Sequence, residues 1–240
     1  MNYPQKSIVW LLDLIFPVRC IDCGKFGNYV CRGCLGTIII KKNFECIGCK
    51  RNTPFGQTCF LCLKTSSVDQ LLIAADYKNH LVEKILKFLK YKFIIDLEWP
   101  LFVLIKQYLK WLTLDKKFNV FETNPLLISV PLHSRRLNWR GFNQSELLAK
   151  ELADTFQMEM AGDVIKRVGS VVPQADIKNR EERLKNLSGI FRIQTKERVI
   201  GREVVLIDDI CTTGATLNEC AKVLKANGAS KVIGLVVARG

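Results

Sequence analysis

The chain has 240 residues, 48% hydrophobic and 25% charged, with 36 Lys and Arg against 23 Asp and Glu, a formal net charge of +13. That length points to one or two domains, and the apolar content suffices for a core, which excludes an intrinsically disordered chain. No uncharged apolar run reaches the ~18 residues of a spanning helix: the run at 8–16 is broken by Asp13 and that at 100–114 by Lys106 and Lys110.

Residues 7–16 come first in chain order. Lys6 ahead of an apolar stretch suggests a signal peptide, but Asp13 interrupts the stretch and no small-x-small cleavage site follows. The segment is therefore predicted as a short amphipathic helix of the mature, cytoplasmic protein.

Eight of the ten cysteines follow, in four CxxC pairs: Cys20/Cys23, Cys31/Cys34, Cys46/Cys49 and Cys59/Cys62. A disulfide framework has no reason to space every pair by two residues. A tetrahedral metal does, because two thiolates three residues apart can grip one ion from a tight turn. Two structural zinc sites are expected, with iron–sulfur ligation a minor alternative because its usual spacings differ. The ligands can be grouped sequentially or interleaved, and spacing alone leaves both open. Each Zn(Cys)₄ unit carries a net −2, so two of them lower the formal +13 to +9. Residues 1–65 hold nine Lys and Arg and three Asp and Glu, a surplus that falls from +6 to +2 with metal. This segment is expected to be unfolded without metal.

Beyond the knuckles, Gln70–Asp76 reads as a strand and residues 80–93 as a helix, with Leu81, Ile85 and Leu89 at four-residue steps. Lys84, Lys87 and Lys90 line another sector of that helix, either as a solvated face or as a basic strip beside an anion. His80 reads as a helix-start residue. Residues 100–114 form a second helix with Pro at its start, and 115–124 a polar connector.

From 126 onward strands and helices alternate. Strands are predicted at 126–131, 189–193, 203–208 and 231–238. A helix is predicted from Asn143 to about Phe156, with Asn143 and Glu146 as a capping pair, and another at 217–226, ended by Asn227-Gly228. This order argues a mostly parallel sheet flanked by helices.

The chemistry gathers after strand 203–208. Asp208 and Asp209 stand at its carboxyl end, where open α/β sheets bind ligands. Thr212, Thr213, Gly214, Ala215 and Thr216 then lead into a helix and offer hydroxyls and backbone N–H groups to a phosphate. A carboxylate pair beside a phosphate cradle suits a sugar phosphate. The Gly-Lys-Ser/Thr element of a nucleoside triphosphate loop is missing.

Residues 204–216 resemble the phosphoribosyl-pyrophosphate (PRPP) motif of type I phosphoribosyltransferases. The segment Val130-Pro131-Leu132-His133-Ser134-Arg135-Arg136, Arg140-Gly141-Phe142-Asn143-Gln144, Pro173-Gln174, residues 180–186, Gly189-Ile190-Phe191 and the cysteine knuckles resemble the ComF family. The resemblance implies a double zinc ribbon at 1–65 and a phosphoribosyltransferase-like domain at 66–240 that includes the helical part 66–124. It implies that Asp208 and Asp209 bind the ribose 2′ and 3′ hydroxyls of PRPP and reach Mg²⁺ through water. Thr212 to Thr216 would cradle the 5′-phosphate. Arg135 and Arg136, in a loop after an earlier strand, would neutralise the diphosphate, and residues 168–185 would form a hood. The implied activity is Mg²⁺-dependent phosphoribosyl transfer to an unidentified acceptor, linked to competence and DNA uptake. The alternative is a non-catalytic adaptor that senses PRPP or grips single-stranded DNA or DNA-uptake proteins. Phe26, Tyr29, Phe55 and Phe60 are the ribbon aromatics available for stacking, although in so small a unit they read as core. His133 reads as structural, Cys211 as tolerated inside the loop, and Cys220 as a small core residue.

Overall fold

The computed structural model describes residues 17–169 and 189–240. The predicted helix at 7–16, Pro173-Gln174, residues 180–186 and nearly all of the predicted hood lie outside them. Among the described residues the helices are α1 (Arg32–Gly36), α2 (Phe60–Leu63), α3 (His80–Tyr91), α4 (Glu98–Lys116), α5 (Ser134–Arg140), α6 (Gln144–Phe156) and α7 (Ala215–Ala226). The strands are β1 (Gln70–Asp76), β2 (Leu126–Ser129), β3 (Ile165–Arg167), β4 (Phe191–Ile193), β5 (Glu203–Cys211) and β6 (Lys231–Arg239). No helix among the described residues is long and apolar enough to cross a membrane.

The main sheet has the order β1-β6-β5-β2, and every pairing is parallel. Its central strands are buried on both faces, which is why 203–208 and 231–238 read as near-continuous apolar runs. Alternation along the strands divides the core in two. Val205, Ile207, Leu235 and Val237 join α3, α4 and α6 on one face. Val204, Leu206, Val232 and Val236 join α7 and the antiparallel β3–β4 pair on the other.

The helices follow their local chemistry. Asn79 Oδ1 caps α3 by accepting from the N–H groups of Leu81 and Val82, and the apolar stripe Leu81, Val82, Ile85, Leu86 and Leu89 is buried. Asn143 caps α6 by accepting from Ser145 N. Some predicted boundaries move. α4 begins at Glu98 and runs to Lys116, taking in the start of the expected connector, because Lys117 ends it in a left-handed conformation. β5 extends through Asp208 and Asp209 to Cys211, pairing with β6 as far as Arg239. β4 is confined to Phe191–Ile193.

The cysteine segment shares both cores. Cys20, Cys34 and Ile38 pack with α3 and α4, while Ile47 packs with α7 and β1. The Pro54–Gly56 turn sits so close to β1 that a Cβ on Gly56, whose φ is +77°, would lie 2.1 Å from Leu71 O. Two ribbon aromatics depart from expectation: Phe26 is 57% and Phe60 77% exposed. The short knuckles have no interior of their own in which to bury them. Phe55 does pack, stacking on Phe118 at 5.1 Å, and Tyr29 is half-buried against the core.

Candidate functional site

The metal centres are built by local turns. In each, the first CxxC faces the second, and the ligand atoms lie within 4.8 Å of one another as Cys20, Cys23, Cys31 and Cys34, and as Cys46, Cys49, Cys59 and Cys62. The grouping is therefore sequential. Zn–S bonds of about 2.3 Å require a sulfur tetrahedron with edges near 3.8 Å. Cys23 Sγ and Cys31 Sγ are 3.7 Å apart, as are Cys49 Sγ and Cys59 Sγ. Backbone N–H groups point at the sulfurs, from Cys31 to Cys20 Sγ at 3.4 Å and from Cys59 to Cys46 Sγ at 3.3 Å. The Arg51 guanidinium, donating to Cys49 Sγ at 3.4 Å, holds that thiol down at about 6. All-thiolate donors of this spacing fit zinc, and the two clusters could hold two ions.

The second candidate centre lies at the carboxyl end of β5. Asp208 Oδ1 accepts from Ser145 Oγ at 2.7 Å and from Asp209 N at 2.9 Å. Ser145 is placed by Asn143, whose Nδ2 donates to Val130 O at 3.1 Å. One polar chain thus ties the residue after β2, the start of α6 and the end of β5. Successive strand side chains point to opposite faces, and the two carboxylates have different partners. Asp209, 2% exposed, is ion-paired with Lys90 of α3, with Nζ 2.7 Å from Oδ2. Burial, then the charge of adjacent Asp209, pushes the Asp208 carboxyl up to about 7.

Cations ring the pair. Arg140, 8% exposed at the end of α5, donates Nη1 to Gln144 Oε1, and its Nε has no hydrogen-bond partner among the described residues. Burial lowers its pKa, and the negative charge of Asp209 opposes that shift. Arg167, at the end of β3, lies over the Phe191 ring at 5.7 Å. It is within electrostatic reach of Arg136 and Asp208.

The loop after β5 turns at Gly214, whose φ of +80° suits glycine, and α7 begins at Ala215. Thr213 Oγ1 accepts from Ala215 N at 3.4 Å. Thr212 is exposed, Thr213 and Thr216 are half-buried, and Gly214 and Ala215 are buried. Cys211 is the last residue of β5 and is 1% exposed, with burial raising its thiol to about 11, so it is packed and inert.

Asp208, Asp209 and residues 212–216 stand together by chain continuity. Arg135 and Arg136 sit on a helix rather than a loop. His133 accepts from Arg135 N at 3.1 Å through Nδ1 and caps α5, because a polar side chain before the first turn satisfies an otherwise orphaned N–H. Both arginines are exposed, and the buried arginine of that helix is Arg140. Lys90, Arg140, Ser145 and Arg167 were not singled out by the sequence as site residues. Arg140 carries a signal in the segment of family resemblance and Lys90 in the basic strip, of which it is the member that reaches the carboxylates.

A parallel sheet with an acidic strand end followed by a Gly-turned loop and helix defines a type I phosphoribosyltransferase fold, and the Phosphoribosyl transferase domain family matches residues 143–240. Over 226 residues the chain is 29% identical to Competence protein F of Haemophilus influenzae, covering 86% of this chain and 95% of that one. It is 29% identical over 220 residues to Competence protein ComFC of Streptococcus pneumoniae, covering 89% and 84%. DNA utilization protein YhgH of Escherichia coli O157:H7 is 40% identical over 106 residues, spanning 44% of this chain and 45% of that protein. These similarities support the resemblance of the chain to the ComF family of phosphoribosyltransferase-like proteins.

Proposed function

We propose that the chain binds PRPP at the end of β5 and transfers its phosphoribosyl group to an acceptor nucleophile, in a process that handles incoming DNA. The observation that carries this reading is the Asp208–Asp209 pair leading directly into the Gly214 turn and the start of α7. Carboxylates recognise ribose hydroxyls, and the loop with the helix start receives a phosphate. Arg136, Arg140, Arg167 and Lys90 supply positive charge where a diphosphate leaving group would develop negative charge. The carboxylate oxygens offer hard-ligand chemistry that suits Mg²⁺ with a diphosphate, and the ion would supply further charge neutralisation there. Lys90 holds Asp209 through Oδ2, so a ribose hydroxyl would share this carboxylate with that ammonium. The DNA context comes from the names of the relatives, two competence proteins and a DNA utilization protein.

Calorimetric titration of PRPP into zinc-loaded protein, with and without Mg²⁺, tests the reading beside Asp208→Asn. Saturable binding lost in the variant is expected. A folded, zinc-loaded protein that takes up no PRPP would remove the proposal.

A second reading, single-stranded nucleic acid binding without turnover, is favoured by exposed aromatics outside the cysteine segment. Phe93 and Trp139 meet edge-on at 4.8 Å and remain 38% and 59% exposed, and Tyr91, Arg135 and Arg136, each within four residues of one of them in sequence, are exposed as well. Exposed aromatics among cations suit base stacking and phosphate contact. Salt-dependent DNA binding that survives Asp208→Asn and is lost in Trp139→Ala would support it.

A further inference from the structure

The Cys46/Cys49 knuckle of the second cluster touches the phosphate loop. Ile47, between Cys46 and Cys49, is 2% exposed. A Cβ on Gly214 would lie 2.7 Å from Ile47 Cγ1 and 3.0 Å from Cδ1. The loop therefore turns with its backbone pressed against a side chain of the metal-binding segment.

Ile47 is itself held. Arg239, 5% exposed at the end of β6, donates Nη1 to Cys46 O at 3.0 Å and Nη2 to Ile47 O at 2.6 Å. Its Nη1 also pairs with Glu45 Oε1 at 2.9 Å, and Glu45 pairs with Lys41 at 3.1 Å. Arg239 is in register with Cys211, the residue from which the loop departs, and Gly240 N donates to Cys211 O at 3.1 Å. Lys50 Nζ closes the ring on Gly240 O at 2.9 Å.

The other half of the cluster reaches the far side of the loop. Asn218, in the first turn of α7, accepts from Ser67 N at 2.6 Å and donates to Thr65 O at 3.4 Å. Thr65 N and Ser66 N donate to Cys62 O at 3.0 and 2.9 Å. Both CxxC turns of the second cluster are thus fastened to the elements that frame residues 212–216. In the first cluster, Cys20 and Cys34 join the opposite core instead.

We propose that Ile47 is a positioning residue for the phosphate loop, through which the Cys46/Cys49/Cys59/Cys62 centre sets the loop's anion-binding conformation. The inference rests on residues 212–216 being the phosphate cradle. Its physical basis is that a glycine at positive φ has wide backbone freedom unless a neighbour restricts it. Here that neighbour is one residue from a metal ligand, so the turn that four thiolates hold on one ion also holds Ile47.

The test compares Ile47→Ala and Ile47→Val with Ile21→Ala, the matching position after Cys20 in the first knuckle. Zinc content, amide hydrogen exchange across 211–218 and PRPP titration are measured on each. Ile47→Ala is expected to keep its zinc and the protection of β1 and β6. Its loop should exchange roughly tenfold faster and its PRPP affinity should fall by a similar factor, in line with loss of a buried aliphatic contact. Ile47→Val, which removes only Cδ1, should fall between it and the wild type. Ile21→Ala should leave the loop unchanged. Wild-type loop exchange in both Ile47 variants overturns the proposal, as does an equal response to Ile21→Ala. If Ile47→Ala does not fold, Ile47→Val decides. A loop that responds in a protein that never binds PRPP leaves the coupling standing and removes the phosphate-site reading. PRPP binding unaffected by either Ile47 variant removes the coupling and spares that reading.

Discussion

Lys90 Nζ stands 2.7 Å from Asp209 Oδ2, joining the last turn of α3 to the carboxyl end of β5, with the two side chains 18% and 3% exposed. The acidic pair is therefore asymmetric. Asp209 is neutralised by a lysine more than a hundred residues away in sequence, whereas Asp208 relies on a serine hydroxyl and a backbone N–H.

Lys90→Met should leave the Asp209 charge buried without a partner, and breaking such a pair costs about 3 kcal/mol. The double variant Lys90→Met/Asp209→Asn should recover most of that loss, because neither charge remains. Urea unfolding of the three proteins checks this. A Lys90→Met midpoint equal to wild type would show that the pair contributes nothing.

The Asp208 carboxyl, raised to about 7 by burial and then by Asp209, makes stability pH-dependent with a defined sign. The native state holds a proton that the unfolded chain, with an ordinary aspartate pKa of about 3.9, has already released. The associated stability is fully present below that value and is lost as pH rises through about 7. Asp208→Asn should remove this part of the slope, matching wild type near pH 4 and gaining on it at pH 8. Denaturant midpoints across that range provide the measurement.

Glu98, in the first turn of α4, behaves alike and for the same kind of reason. Burial, then the charge of Glu151, lifts it to about 7, and its Oε1 has no hydrogen-bond partner among the described residues. Glu98→Gln should stabilise the protein at pH 8 by about 1–2 kcal/mol, allowing for partial exposure, and do little near pH 4. Loss of stability at pH 8 would show that the carboxylate has a partner.

Removal of metal should unfold more than the knuckles. Cys20, Cys34 and Ile38 belong to the core of α3 and α4, and Ile47 to that of α7. Chelation is expected to release two ions and to lower the melting temperature of the whole described fold, because a metal bound only by the native state stabilises it by mass action. An unchanged melting temperature after complete release would mean that the knuckles and the sheet unfold independently.

Gly56→Ala should cost about 2 kcal/mol or more, through a Cβ 2.1 Å from Leu71 O and a left-handed φ of +77°. Because the 54–56 turn lies against β1, hydrogen exchange in residues 70–76 should report the damage directly.

Much of this molecule is legible one residue after another. The four CxxC turns, the strand Gln70–Asp76, the helix from Asn143 to Phe156, the apolar strands around 204–207 and 231–238, and the acidic strand end with its Gly214 turn each announce themselves over a dozen residues or fewer. Periodicity, capping and turn chemistry are local properties, so they can be read along the chain, and the fold class with them. Three-dimensional packing is needed to see that Lys90 answers Asp209, that Arg140 is buried while Arg135 and Arg136 are exposed, that the thiolates group sequentially, and that Ile47 seats Gly214. It also decided that Phe26 and Phe60 face solvent. The contacts of Lys90 and Ile47 depend on which surfaces the parallel crossovers bring together, over separations as large as the 167 residues from Ile47 to Gly214. A local pattern carries a residue's phase on its own strand or helix. The identity of the side chain opposite is set only when the core closes.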